Sequence, residues 1–475
     1  MTSAPDELAF LGAAKLASLV RERRVSPVEL VRVYLKRIER LDARLRAYIT
    51  VLPETALETA RKAETAVMRG DALGPLHGVP YAVKDQFDTA GVLTTLGSRI
   101  LRHHVPVENA TAISRLNEAG GLLLGKLNLT EFALGGTREF PFGQPRNPWN
   151  PDHDPGGSSS GSGIAVAAAL CAASLGEDTG GSVRTPASWC GVVGLRPTWG
   201  RVSRHGSFPL SWSMDTAGPL TRTVEDAALL LRVIAGHDPR DPLTSRRPVP
   251  DYVVALDAGV RGLRIGIIRE LTFAGDTDVE VRGAVLEAAR RLQELGATVE
   301  ETSLSLVPLA GAIFMALADA DGAGLHQHWL RTRAPDYDEG TRRRLVTASL
   351  IPAALYQQAA RARVLLRMEL RDALVRHDLL LCPTAHQAAP PIAAGRAAVT
   401  TRAEVAGRFF TRRSYVTPAA LAGTPAIALP CGFTRAGLPL SLQLLGRPFD
   451  EATLLRAARA YEQETDWSGR RPPHA

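Results

Sequence analysis

Two glycine–serine loops lie between Asp154 and Thr198, on either side of a small-residue stretch. The first reads Asp154-Pro155-Gly156-Gly157-Ser158-Ser159-Ser160-Gly161-Ser162-Gly163. The second reads Gly176-Glu177-Asp178-Thr179-Gly180-Gly181-Ser182-Val183-Arg184-Thr185-Pro186. Backbone this rich in glycine can pack closely and aim several N–H groups at one point. The serines bring hydroxyls to the same point. Upstream, the apolar stretch Val79-Pro80-Tyr81-Ala82-Val83 runs into Lys84-Asp85. A lysine and two serine loops supply the groups of a hydrolase that needs no histidine.

Lys84 is one of only five lysines among 56 cationic side chains. Arginine keeps its proton in a protein, whereas a buried lysine can release it. A base is therefore one role for position 84, and a structural lysine the other.

The chain has 475 residues, 45% hydrophobic and 22% charged, as in an ordinary globular protein. Net charge is +7, but the arginines are scattered and lack interleaved aromatics, so no nucleic-acid partner is expected. Cys171, Cys190, Cys382 and Cys431 form neither a C-x-x-C pair nor a disulfide framework, which fits a reduced compartment. The N-terminus lacks a basic signal region, and no run of 18 apolar residues is present. A cytoplasmic protein without a membrane partner is the expectation.

Residues 1–70 read as helices, with Ser26-Pro27-Val28-Glu29 a capping box with proline at the first helical position. Residues 81–83 and 122–124 read as buried strands flanking a helix at 111–118. The alanine-rich residues 164–175 are predicted as one helix. Residues 263–268, 298–301, 378–383 and 426–430 read as strands, and 279–295, most of 305–378 and 451–465 as helices. Strands alternating with helices imply an α/β fold, a mixed sheet covered on both faces. Residues 240–250, rich in proline and arginine, predict a surface connection.

Two motifs are set aside. Residues 120–126 match a phosphate loop except that Leu127 stands where Ser or Thr should hold magnesium. Residues 157–161 satisfy G-x-S-x-G with Ser159 as an esterase nucleophile, and Asp378 and His386 as partners. That reading leaves the second loop unexplained. His103-His104 and His326-Gln327-His328 have no acidic cluster beside them, so no metal site and no cofactor is expected.

Residues 74–220 closely resemble the amidase signature family. The matching stretches are Gly78 through Asp85, Gly125-Lys126-Leu127-Asn128 with Glu131-Phe132-Ala133, both loops, and Ala187 through Thr198. Gly423-Thr424-Pro425-Ala426 and Gln443 through Phe449 match near the C-terminus. The resemblance implies one amidase domain over 1–475. It divides into N-terminal helices (1–70), a catalytic core (74–220), a variable substrate-shaping region (240–405) and a C-terminal return to the core (411–467).

It also implies roles residue by residue. Lys84 matches the family's base, Ser158 its bridging serine on a cis peptide bond, and Ser182 its nucleophile. Backbone N–H groups of Thr179, Gly180, Gly181 and Ser182 match its oxyanion hole. Asp178, Arg184 and Ser159 are expected to brace the loops, and Cys190 to fill core space. Glu177 departs from the small hydroxyl residue expected there; an extra carboxylate at this point would either raise the lysine pKa or face solvent, and the second is the expectation.

The implied activity is hydrolysis of linear amides, with carbamates (urethanes) and esters as related substrates. Phe132, Leu134, Gly135, Phe140 and Met315 are expected to line the pocket, with Phe142, Phe314 and Leu317 nearby. These residues favour an apolar or aryl amide. The middle region lacks the glutamine-site pattern associated with the amidase subunit of a tRNA-dependent amidotransferase, so a free hydrolase is expected, monomeric or homodimeric, with a small-molecule partner only.

Overall fold

A computed structural model describes residues 5–392 and 414–475. The end of the expected substrate-shaping region and the start of the C-terminal return lie outside the described residues. Among the described residues, eleven strands form one sheet: β1 (Tyr48–Val51), β2 (Pro80–Lys84), β3 (Leu122–Leu127), β4 (Ala173–Glu177), β5 (Val193–Arg196), β6 (Ala217–Thr221), β7 (Arg264–Ile268), β8 (Thr298–Thr302), β9 (Leu379–Pro383), β10 (Ala426–Phe433) and β11 (Pro439–Gly446). Their order is β1-β3-β2-β4-β6-β5-β10-β11-β9-β7-β8. The β3-β2-β4 and β9-β7-β8 groups are parallel inside, and every other pairing is antiparallel. This is the mixed α/β sheet expected.

Strand alternation builds two cores. Leu379 and Leu381 enter a large cluster with the helices Pro27–Leu45, Val224–Ile234, Val279–Glu294 and Glu451–Gln463. Leu380 and Cys382 enter a second cluster with the helices Ala310–Thr332, Ala353–Arg376 and Thr417–Ala422. Central strands buried on both faces read as unbroken apolar runs, because neither face meets water. By length and composition, Val307–Thr332 could also cross a membrane, but more than half of it is buried within the fold.

Local chemistry sets the element ends. Ser26 Oγ accepts from the N–H of Val28 at 3.0 Å and of Glu29 at 3.3 Å, so the expected cap forms. Two expectations need correction. β1 interrupts the N-terminal helices and pairs with β3. Residues 164–175 are not one helix: the helix Ser160–Ala167 ends at Ala168, and β4 begins at Ala173. The stretch is apolar on every side, so its periodicity does not separate buried helix from buried strand.

Because β2, β3 and β4 run parallel, their C-terminal ends share one edge of the sheet. Lys84 closes β2, Asn128 to Thr130 follow β3, and the second glycine loop follows β4. Open α/β sheets hold ligands at this edge.

Candidate active site

The first loop leads into the helix Ser160–Ala167, and the second, from the end of β4, into Arg184–Cys190. Ser159 N–H donates to the Ser182 carbonyl at 3.3 Å, tying one loop to the other. The Gly157–Ser158 peptide bond is cis. Lys84 is fully buried, and its Nζ donates to Ser158 Oγ at 2.8 Å. Burial pushes the Lys84 pKa below the ordinary lysine value, while the Glu177 carboxyl beside it pushes the other way.

Asp178 braces the second loop from beneath. Its Oδ1 accepts from Gly181 N–H at 2.8 Å, Arg184 Nη2 at 3.0 Å and Arg196 Nη1 at 2.9 Å. Its Oδ2 accepts from Val183 N–H at 3.2 Å and Arg184 Nε at 3.0 Å. Burial alone would raise the Asp178 pKa, but the two guanidinium groups hold it well below the usual carboxylate range. Arg184 Nη1 also donates to Gln443 Oε1 at 3.0 Å, which fastens the loop to β11. This explains why the matching C-terminal segment belongs to the site although it lies more than 200 residues away.

Ser158 and Ser182 line one cavity of about 370 Å³ together with Thr179, Gly180 and Gly181. Gly181 has φ of +121°, which disfavours any other residue, and a Cβ at Gly180 would lie 2.2 Å from the Phe314 ring. Of the expected pocket residues, Leu134, Gly135, Phe140, Met315 and Phe314 line the cavity. Phe132 does not. Its ring sits T-shaped on His326 with centroids 4.5 Å apart, and it also packs on Trp329 and Tyr337 in a buried aromatic cluster. Leu317 belongs to the second core, and Phe142 is not among the lining residues.

The cavity is also more polar than an apolar substrate needs. Arg138, Thr137, Gln144 and Arg344 line it. Arg344 is held by Asp319, with Nη2 to Oδ1 at 2.6 Å. Sequence reasoning missed these groups because Arg344 lies in the variable region and Arg138 in a stretch of the catalytic core between the matching motifs.

Glu177 is a correction. It does not face solvent: its side chain is 2% exposed, and Oε2 lies 3.5 Å from Lys84 Nζ. It closes a central strand between β2 and β6, and its side chain lines a small cavity separate from the substrate cavity.

Ser159 is buried, and its hydroxyl donates to the Glu177 carbonyl at 3.3 Å. Asp378 is bound by Arg447 before β9, while His386 follows that strand and stacks on Tyr415. The esterase constellation is therefore not assembled. Lys126 ends in a buried ion pair with Asp85 at 3.2 Å, so the phosphate-loop match has no loop. Among the described residues, no group of three or more His, Cys, Asp or Glu side chains is placed to hold a metal ion.

The amidase family model matches residues 29–455. The chain is 42% identical to a glutamyl-tRNA(Gln) amidotransferase subunit of Moorella thermoacetica, over 98% of this chain and 99% of that one. The same-named subunit of Thermotoga maritima has a solved structure with TM-score 0.81 and 33% identity, covering 96% of this chain and 95% of that one. The peptide amidase of Stenotrophomonas maltophilia gives TM-score 0.83 and 33% identity, covering 98% of each chain. These relatives overturn the expectation of a small-molecule partner only and no nucleic acid: full-length likeness at this level is to proteins named for a transfer-RNA substrate and as parts of a multi-chain enzyme. Scattered charge along one chain does not exclude such a partner, because in a multi-chain enzyme the basic surface can lie on another subunit.

Proposed function

The chain belongs to the amidase signature family, and from that premise we propose that it cleaves an amide C–N bond through an acyl-enzyme on Ser182, as the amidase subunit of a tRNA-dependent amidotransferase. The observation that carries the chemistry is the 2.8 Å contact between Lys84 Nζ and Ser158 Oγ, on the cavity that Ser182 also lines. Neutral Lys84 takes the proton of Ser158 as Ser158 takes that of Ser182, and the freed Ser182 oxygen attacks the carbonyl. The same chain of hydroxyls returns the proton to the leaving nitrogen. Water then hydrolyses the acyl-enzyme. Gly181 N–H is turned to Asp178, so Thr179, Gly180 and Ser182 supply the N–H groups for the oxyanion.

The amidotransferase reading rests on whole-length identity to proteins of that name. The cavity adds to it: Arg138 and Arg344 suit an amide that also carries a carboxylate, such as the side-chain amide of glutamine, whose hydrolysis releases ammonia for transfer. The test is reconstitution of the full chain with its candidate partner subunits, glutamyl-tRNA and glutamine. Amidated tRNA should form, and Ser182→Ala should abolish both this and ammonia release. Failure to form a complex, with rapid cleavage of aryl or peptide amides by the chain alone, would establish a free amidase instead.

A further inference from the structure

A second cavity of about 230 Å³, with no lining residue in common with the substrate cavity, is lined in part by Glu177 and Asp215. The Thr179 hydroxyl lies 2.8 Å from Glu177 Oε1 and 2.8 Å from Asp215 Oδ1. A hydroxyl has one proton to donate, so it satisfies only one carboxylate; the other carboxyl must itself carry a proton and donate to Thr179 Oγ1. Two buried carboxyls so placed share one proton and one negative charge. Asp215 is further held by the N–H groups of Leu210 at 2.8 Å and Ser211 at 2.9 Å.

We propose that this carboxyl pair is a positioning device for Lys84: it sets the pH at which the lysine becomes a base, and it passes the lysine's proton to water in the second cavity. The proposal rests on the Lys84–Ser158–Ser182 reading above. Lys84 Nζ gives its proton to Glu177, 3.5 Å away, and the pair releases one proton to cavity water, so charge and protons balance. Burial raises the ionisation range of both acids; that of Asp215, with Glu177 as its second cause, reaches about 7.

Asp178 and Arg196 lie beside Glu177, and Arg196 is bound to Asp178. Across the second cavity, Arg204 is paired with Asp241 at 3.1 Å, Arg240 with Asp238 at 3.5 Å, and His205 lies 3.6 Å from Glu108. Asp178 also acts on Lys84 but is held by both Arg184 and Arg196, so the negative charge beside Lys84 that can change its proton count is that of the carboxyl pair.

The two acids predict opposite signs. Glu177→Gln moves the remaining charge to Asp215, farther from the lysine, so neutral Lys84 persists to lower pH. Asp215→Asn leaves Glu177 as the sole carrier of charge, so Lys84 holds its proton to higher pH.

The readout is the rate at which a fluorophosphonate probe labels Ser182 in the full-length protein, measured against pH and scaled to each variant's own plateau. The acid limb should fall by about one pH unit or more in Glu177→Gln and should not fall in Asp215→Asn. Because the second cavity keeps the pair open to solvent, the limb should also persist at saturating probe. A limb unmoved in Glu177→Gln, moved the same way in both variants, or lost at saturation overturns the proposal. Should Glu177→Gln fail to fold, Asp215→Asn and the saturation experiment decide it. Lys84→Arg run alongside separates the failures: wild-type labelling there defeats the serine–lysine reading itself, whereas its loss with an unmoved Glu177→Gln limb defeats only this inference.

Discussion

Lys84 and Lys126 stand on neighbouring parallel strands, β2 and β3, and both are fully buried. Their surroundings differ. Lys126 Nζ donates to the Phe87 carbonyl at 2.6 Å and Thr94 Oγ1 at 2.7 Å, and it faces Asp85 at 3.2 Å. Asp85 is itself fixed by the N–H and hydroxyl of Thr95, at 2.7 and 2.6 Å. Every direction in which Lys126 can donate is filled by a group that stays put. Lys84 instead donates to a serine hydroxyl on the substrate cavity and faces a carboxyl that shares a proton with another acid. A buried ammonium with three fixed acceptors is a structural cation; one whose acceptors can exchange protons is a base in waiting.

The comparison breaks most readily at Lys84. Replacing it by arginine keeps the charge and removes the exchangeable proton. We expect kcat/KM to fall about 10²- to 10⁴-fold, the range for loss of a general base, with the fold retained by circular dichroism. Lys84→Ala should fall as far. An arginine variant with most of the wild-type rate would place Lys84 in the same class as Lys126.

At Lys126 the expected loss is stability. Lys126→Met leaves Asp85 buried and facing no cation, a change that costs about 3–5 kcal/mol. Denaturant unfolding should register it, while the folded fraction should label with a fluorophosphonate at close to the wild-type rate. Normal stability with lost labelling would reverse the two assignments.

The sequence made part of this contrast legible. The motif around Lys84 marked it out, and strand runs such as residues 81–83 and 379–383 declared themselves because central strands are apolar on both faces. Other central strands gave little warning. β6 contains Gly218 and Pro219, both poor strand formers, yet lies between β4 and β5. The direction of a single side chain was harder still. Glu177 reads as a solvent-facing carboxylate until β6 is known to cover it, and Phe132 reads as a pocket residue until its backbone, at φ of +50°, turns the ring into the aromatic cluster. Both depend on contacts distant in sequence, to β6 and to residues 326–337. Hydrophobic pattern records which residues are buried, and it does not record what they are buried against.

The smallest expected effect is also the sharpest test of what Lys126 does. If its ion pair with Asp85 is purely structural, the damage from Lys126→Met comes mainly from the stranded carboxylate and not from the lost attraction. Removing both charges should then recover much of the loss. Asp85→Asn keeps an oxygen for the Thr95 N–H and hydroxyl, and so preserves the local hydrogen bonds of that turn. The double variant Asp85→Asn with Lys126→Met should therefore lie closer to wild type than Lys126→Met alone, by about 1–3 kcal/mol in a double-mutant cycle. No such recovery is expected at the other lysine, because the role assigned to Lys84 lies in a proton and not in a pair: Glu177→Gln added to Lys84→Met should leave the enzyme as inactive as Lys84→Met alone. Additive losses at Asp85 and Lys126 would mean that Lys126 acts through groups other than Asp85, with the carbonyl of Phe87 and the hydroxyl of Thr94 as the acceptors then left to explain its burial.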